Sequence, residues 1–184
     1  MEVELVQRAL HGDDDAYAML VREHQEAVYR LAYLFVGDAD DAEDVAQETF
    51  IRAHRALRTF DQTRPLRPWL LSITANVSKN HRRAAGRYLA ALKRALFEAP
   101  PAARIEAESA RQMEVQALWD AVRRLNTTDQ EVIYLRYFLE LSVAETAEVL
   151  AIEQGTVKSR LSRALGRLKG VVEDGFPQLV EDYR

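Results

Sequence analysis

The sequence predicts an all-α protein of two small helical domains joined by a linker. Apolar residues recur at i, i+3 and i+4 through most of the chain, the spacing of one buried helix face. Alternating β-branched stretches and Asn-Gly turns, which would mark strands and hairpins, are too few to suggest a sheet. The helices fall into two groups because the pattern weakens between about residues 84 and 112. That stretch is alanine-rich and charged, and it contains Pro100 and Pro101, which do not suit a helix interior.

In chain order, Asp13 to Asp15 offer N-caps for a long helix with Ala16, Met19, Leu20, Ala27, Val28, Leu31, Leu34 and Phe35 on its apolar stripe. Gly37 stands where a helix-ending residue is expected. A second helix starts near Asp40 or Asp41 and turns Ala42, Val45, Ala46, Thr49, Phe50, Ala53 and Leu57 inward. Pro65 and Pro68 then break the chain. A third helix opens with Pro68 in its first turn and carries Trp69, Leu70, Ile73 and Val77 inward. After the linker come a helix from about Glu114 to Leu125 and another from about Thr128 to Phe138, with Thr128 at its start. Two further helices are separated by Ala151 to Glu153.

Composition bounds the function. At 184 residues, 48% hydrophobic and 29% charged, the chain has the balance of a globular protein with material for two small cores. No apolar run approaches the roughly 18–20 residues of a membrane span, and Met1 to Leu10 carries acids where a signal peptide is basic, so a cytoplasmic protein without membrane insertion is expected. The absence of cysteine excludes disulfides, thiol catalysis and cysteine-based zinc modules.

The net charge of −4 conceals strong segregation. Six acids and no base lie between Asp38 and Glu48, whereas Arg52 to Arg94 holds eleven bases against Asp61 alone. Gln154 to Gly170 holds five bases and no acid. Two basic surfaces far apart in sequence are implied, each also compatible with an ordinary solvated helix face.

The last two helices have the layout of a helix-turn-helix: Ser142 caps Val143 to Leu150, a short turn follows, and Gly155 to Lys169 forms the second helix. Advancing about 100° per residue puts Val157, Leu161, Ala164, Leu165 and Leu168 on the buried stripe. Opposite lie Gly155, Thr156, Ser159, Ser162 and Arg163, with Lys158 and Arg160 on the shoulders. Small polar residues flanked by long cations suit a major groove, the centre approaching base edges and the shoulders reaching phosphates.

Three segments in order carry a family resemblance. Glu145 to Lys169, with the core GTVKSRLSRA, resembles region 4 of extracytoplasmic-function (ECF) sigma factors of bacterial RNA polymerase. Asp41 to Leu57 (DAEDVAQETFIRAHRAL) resembles their region 2.2, and Arg67 to Arg83 (RPWLLSITANVSKNHRR) resembles regions 2.3 and 2.4. The resemblance implies a region 2 helical bundle over residues 1–84, a linker over 85–112 and a region 4 helix-turn-helix over 113–184. It also implies a sigma factor that directs promoter-specific initiation without catalysing a reaction, with no cofactor, metal or small-molecule substrate.

Its implied partners are core polymerase, through the clamp helices of the largest subunit and the flap of the second-largest, together with promoter DNA and an anti-sigma factor. Asp44, Gln47, Glu48, Ile51 and Arg52 would meet the clamp. Gly155, Thr156, Lys158, Ser159, Arg160, Ser162 and Arg163 would meet the −35 element. Arg64, Arg67, Asn76, Lys79, Asn80, His81, Arg82 and Arg83 would meet the separated −10 strand, where cations track phosphates and amides read unpaired edges. Trp69 could stack on a base, but its place on the apolar stripe assigns it to the core. Many relatives carry Asp where this chain has Asn80, so no family rule relating that position to promoter sequence is carried over.

Other classes fit less well. None of His11, His24, His54 and His81 stands three residues after a glutamate, as a di-iron bundle requires, and there is no Walker loop, His-Glu-x-x-His or nucleophile elbow. A regulator with an N-terminal sensor domain would not need the Asp41 to Arg83 pattern.

Overall fold

The computed structural model describes residues 2–95 and 110–176, and all of its regular structure is helical. Eight α-helices are present among these residues: α1 (Glu2–Leu10), α2 (Asp14–Val36), α3 (Ala39–Ala56), α4 (Leu66–Ala95), α5 (Ala110–Arg123), α6 (Thr127–Ile133), α7 (Val143–Leu150) and α8 (Gln154–Gly175). A 3₁₀ turn (Leu57–Thr59) ends α3, and a π turn (Tyr134–Phe138) follows α6. Of the expected linker, residues 85–95 continue α4 and 110–112 open α5; Pro100, Pro101 and the rest lie outside the described residues.

Local chemistry sets the helix ends. Asp13 caps α2 by accepting from the Ala16 amide at 3.0 Å, and Gly37 ends it at φ 83°, a left-handed conformation that costs glycine nothing. The cap of α3 is Asp38, one turn residue earlier than the sequence suggests, because its carboxylate accepts from both the Asp40 and Asp41 amides. Pro68 lies in the first turn of α4, where its missing N–H costs no intrahelical bond. The cap of α6 is Asn126 rather than Thr128: its side-chain oxygen accepts from the Asp129 amide at 3.0 Å.

The first four helices pack around two apolar clusters. Leu5, Val6, Leu20, Val28, Leu57, Phe60, Leu66 and Leu70 form one, and Ala32, Ala42, Val45 and Val77 form the other. Trp69 lies half-buried against Phe60, with ring centroids 4.9 Å apart, as a core residue should. The Tyr17 hydroxyl donates to the Phe50 carbonyl at 2.6 Å, joining α2 to α3; burial pushes its pKa up to about 12. Helix α1 has no counterpart in the sequence-based prediction. It is held by buried Leu5 and Val6 and by Glu2, whose carboxylate lies 3.2 Å from His24 Nε2 and accepts from the Leu66 amide at 3.4 Å.

The expected single helix from Thr128 to Phe138 changes pitch at Tyr134, where the Leu139 amide bonds back to the Tyr134 carbonyl at 3.0 Å. The wider turn lets Tyr134 and Phe138 both pack on Trp119, with centroids 6.0 and 4.7 Å away, while Leu139 and Leu141 become buried. The largest cluster crosses between the two groups of helices: Leu34, Phe35, Leu71 and Ala75 of α2 and α4 pack with Leu139, Leu141, Ala147 and Leu150. Leu71 and Leu135 are fully buried in it, and truncating such a leucine to alanine costs about 2–5 kcal/mol.

Candidate nucleic-acid interface

The helix-turn-helix is built from its caps. Ser142 accepts from the Glu145 amide at 3.1 Å while the Glu145 carboxylate accepts from the Ser142 amide at 2.7 Å, a reciprocal capping box that starts α7. Hydrogen bonds from the Ser142 hydroxyl and amide hold the Glu145 carboxyl below the usual glutamate range. Ala151 then turns the chain at φ 53° and ψ 49°, and α8 begins at Gln154.

Val157 and Ala164 are fully buried and Leu161 and Leu168 partly so, which fixes the rotation of α8 as expected. Leu165 is the correction: it is 37% exposed. At about 80° from Val157 it lies at the edge of the stripe, beyond the cover of the neighbouring helices. Gly155, Lys158, Ser159, Ser162 and Arg163 are exposed, while Thr156 and Arg160 are half-buried at the margin. The Ser159 hydroxyl donates to the Thr156 carbonyl at 3.2 Å and Arg163 Nε to the Ser159 carbonyl at 3.1 Å, so both side chains are drawn back along the helix.

One cation of the basic run in α8 has a different task. Arg167 donates two hydrogen bonds to the carboxylate of Asp129, one of them from Nη2 at 2.7 Å, and Asp129 is only 2% exposed. These bonds hold the Asp129 carboxyl below the usual aspartate range and raise the Arg167 pKa. The pair fastens α8 to α6 and sets the angle at which the outward face is presented. Sequence reading counted Arg167 only within the five-base run of Gln154 to Gly170; its buried partner was not foreseen.

The residues expected to meet a separated strand are less uniform. Asn76, Asn80 and Arg83 stand exposed on one face of α4 at i, i+4 and i+7. Lys79 and Arg82 turn toward α6, and His81 turns the other way, its Nε2 3.7 Å from Asp41 of α3. Arg64 precedes α4 and lies 2.6 Å from Glu148 of α7, and Arg67 donates to the Leu139 carbonyl at 3.0 Å. Sequence reading also missed Glu131, which is 6% exposed. Its signal was an acid four residues before the buried Leu135 on an otherwise apolar face.

The face proposed for polymerase is open. Asp44, Gln47, Ile51 and Arg52 are exposed and Glu48 is half-exposed, joined to Arg52 at 2.6 Å. Ile51 is 46% exposed, an apolar centre within a polar rim.

Fold and surface together define a helical DNA-binding protein with a helix-turn-helix and a second, separate basic helix. Residues 20–88 match the model of Sigma-70 region 2, and residues 115–168 match the model of Sigma-70, region 4. The chain is 37% identical over 174 residues to the ECF RNA polymerase sigma factor BldN of Streptomyces coelicolor, covering 94% of this chain and 66% of that protein. It is 35% identical over 170 residues to the RNA polymerase sigma-H factor of Pseudomonas aeruginosa, covering 88% of each. Among solved structures, CnrH in complex with the cytosolic domain of CnrY superposes with a TM-score of 0.71 at 27% identity, over 95% of this chain and 98% of that one. The chain belongs to the sigma-70 family of RNA polymerase sigma factors, in its ECF group. Members of this family bind core polymerase and direct it to promoters, and that is this chain's function. Among the described residues, no helix is long and apolar enough to cross a membrane.

Proposed function

We propose that residues 1–84 act as region 2 and residues 113–184 as region 4, joined through residues 85–112, each gripping the promoter in a different strand state. The α8 face of Gly155, Thr156, Lys158, Ser159, Arg160, Ser162 and Arg163 reads the −35 duplex. The α4 surface, with Arg64 and Arg67 before and at its start, holds the separated −10 strand through Asn76, Lys79, Asn80, His81, Arg82 and Arg83. Asp44, Gln47, Glu48, Ile51 and Arg52 dock on the clamp of the largest polymerase subunit, and region 4 meets the flap of the second-largest.

The observation that carries this reading is the exposed α8 face, whose outward residues are small, polar or cationic while Val157 and Ala164 seal the opposite side. Promoter opening follows from differential binding, because a surface that holds the separated strand better than the duplex shifts the equilibrium toward opening. Chemistry belongs to the polymerase, so this subunit acts in the cytoplasm without a catalytic residue of its own. CnrH is described in complex with the cytosolic domain of CnrY, and an anti-sigma factor is accordingly proposed as a partner here. Run-off transcription with core polymerase and a genomic promoter library tests the assignment. Defined start sites sharing spaced upstream elements are expected; absence of any directed start defeats it.

A further inference from the structure

The corner where α1 packs against α2 holds three groups that the promoter reading leaves without a task. His24 lies on the buried stripe of α2 between Leu20 and Val28, 6% exposed, and its Nε2 has no hydrogen-bond partner among the described residues. An imidazole nitrogen left that way gives up its hydration with nothing in return. Glu2 of α1 brings Oε2 to 3.2 Å from that nitrogen, though not along a hydrogen-bonding direction. The other Glu2 oxygen accepts from the Leu66 amide at 3.4 Å, which leaves Oε2 facing α2. Glu23 precedes His24 on α2, about 100° round the helix, and its exposed carboxylate completes a group whose ligand atoms all lie within 4.8 Å of one another. Neither carboxylate forms a salt bridge with a lysine or arginine among the described residues.

We propose that Glu2, Glu23 and His24 bind a divalent transition-metal ion, zinc by preference, which fastens α1 to α2. Two donors held by one tetrahedral zinc at about 2.0–2.2 Å stand roughly 3.3 Å apart, close to the spacing of His24 Nε2 and Glu2 Oε2. Glu23, being exposed, closes the remaining gap by a side-chain rotation. One imidazole with two carboxylates suits zinc, and cobalt as its substitute, better than magnesium or calcium, which take oxygen donors. The fourth position is left to water. No spacing in the sequence announces the site, because Glu2 comes from a different helix. A helix of nine residues does not hold in water by itself, so α1 depends on its docking. An ion joining Glu2 to α2 holds the first turn of α1 down beside Leu5 and Val6, and through the Leu66 amide it ties that corner to the start of α4. Because the site exists only when α1 is docked, binding the ion and docking the helix are linked.

Zinc titrated calorimetrically into the chelator-treated, tag-free, full-length chain is expected to show one bound ion per chain. Cobalt in its place should give visible d–d bands, which in a chain without cysteine report nitrogen and oxygen donors. Zinc at roughly a hundredfold excess over its dissociation constant should raise the thermal midpoint by about 5 °C. Glu23→Gln leaves the core untouched, since Glu23 is exposed, and should weaken zinc binding at least about tenfold. His24→Gln should abolish binding, and Glu23→Gln carries the test should His24→Gln fail to fold. His11→Gln, at an exposed histidine outside the group, should leave the affinity as it is.

Absence of a bound ion in the unaltered chain overturns the site. Zinc binding that survives undiminished in Glu23→Gln, or that is lost in His11→Gln, also overturns it, since the ion then sits elsewhere. An ion held by these residues that leaves the thermal midpoint unmoved overturns the fastening of α1.

Discussion

Helices α4 and α8 carry the same sequence signature, an apolar stripe backed by a run of bases, yet they present those bases differently. On α8 the outward cations Lys158 and Arg163 face solvent, and no acid forms a salt bridge with either among the described residues. Two further cations of its run are engaged within the same module: Lys169 lies 3.7 Å from Glu173 on the surface, and Arg167 is held by Asp129 and serves to position the helix. On α4 the one acid that holds both Lys79 and Arg82 among the described residues, Glu131, comes from beyond the linker. A basic run therefore measures the capacity to bind a polyanion, and the two runs differ in whether their acid partners lie in the same group of helices or across the linker.

The largest effect expected from this contrast concerns α8. Replacing Lys158 and Arg163 together by alanine should weaken holoenzyme recruitment to a −35-bearing duplex about 100-fold, and the logarithmic salt dependence should become shallower by roughly one to two units. Ser159→Ala and Arg163→Ala should change which −35 sequence is preferred, because these residues lie at the centre of the outward face. Promoter-library selection with each holoenzyme measures both effects. A greater change in base preference from Lys158→Ala would mean that the working rotation of α8 differs from the one its buried stripe defines.

A smaller effect, about tenfold, is expected where the acidic face of α3 meets polymerase. Asp44→Lys with Glu48→Lys should weaken the affinity for core enzyme, chiefly by slowing association, since exposed charges act mainly through steering. Labelled core polymerase titrated with each chain gives the comparison. An unchanged affinity would detach this face from the polymerase contact while leaving the DNA contrast intact.

The helix-turn-helix was legible in sequence because its determinants are local: Ser142 and Glu145 are three residues apart, and Val157, Leu161, Ala164 and Leu168 keep one period. Leu165 was misplaced because periodicity ranks residues around a helix without saying how far the covering helices reach. The nine-residue α1 was missed for a related reason, since its stability comes from Leu5 and Val6 packing within the first cluster more than from its own pattern. The π turn and the pairs Arg64–Glu148 and Lys79–Glu131 could not be read at all. They depend on tertiary neighbours distant in sequence, and charge patterning along a chain does not identify such neighbours.

Acid should discriminate between the modules. The Asp129 and Glu145 carboxyls are held below their ordinary range by hydrogen bonds within the C-terminal module. A carboxyl depressed on folding contributes stability that is complete above its unfolded pKa, about 4, and that is lost as pH falls through the folded value. Thermal unfolding followed by circular dichroism should therefore show a falling midpoint below about pH 4, and Arg167→Gln should flatten that dependence by removing the guanidinium hydrogen bonds that most depress the Asp129 carboxyl. An undiminished slope in Arg167→Gln would show that the Asp129 pair is not what couples this module to pH.

The smallest expected effect compares how the modules end their helices. Helix α2 closes with Gly37 at φ 83°, where glycine is unstrained, whereas α7 closes with Ala151 at φ 53°, inside the same left-handed region. A side chain there costs about 1–2 kcal/mol, and glycine returns part of that gain through its freer unfolded state. Ala151→Gly should consequently stabilise the chain by about 0.5–1 kcal/mol, while Gly37→Ala should destabilise it by about 1 kcal/mol. Urea unfolding of the two variants gives opposite displacements of the midpoint if backbone strain sets the difference. A loss of stability in Ala151→Gly would mean that the alanine methyl contributes more at the turn of the helix-turn-helix than its strain costs, and the two caps would then differ in packing rather than in conformation.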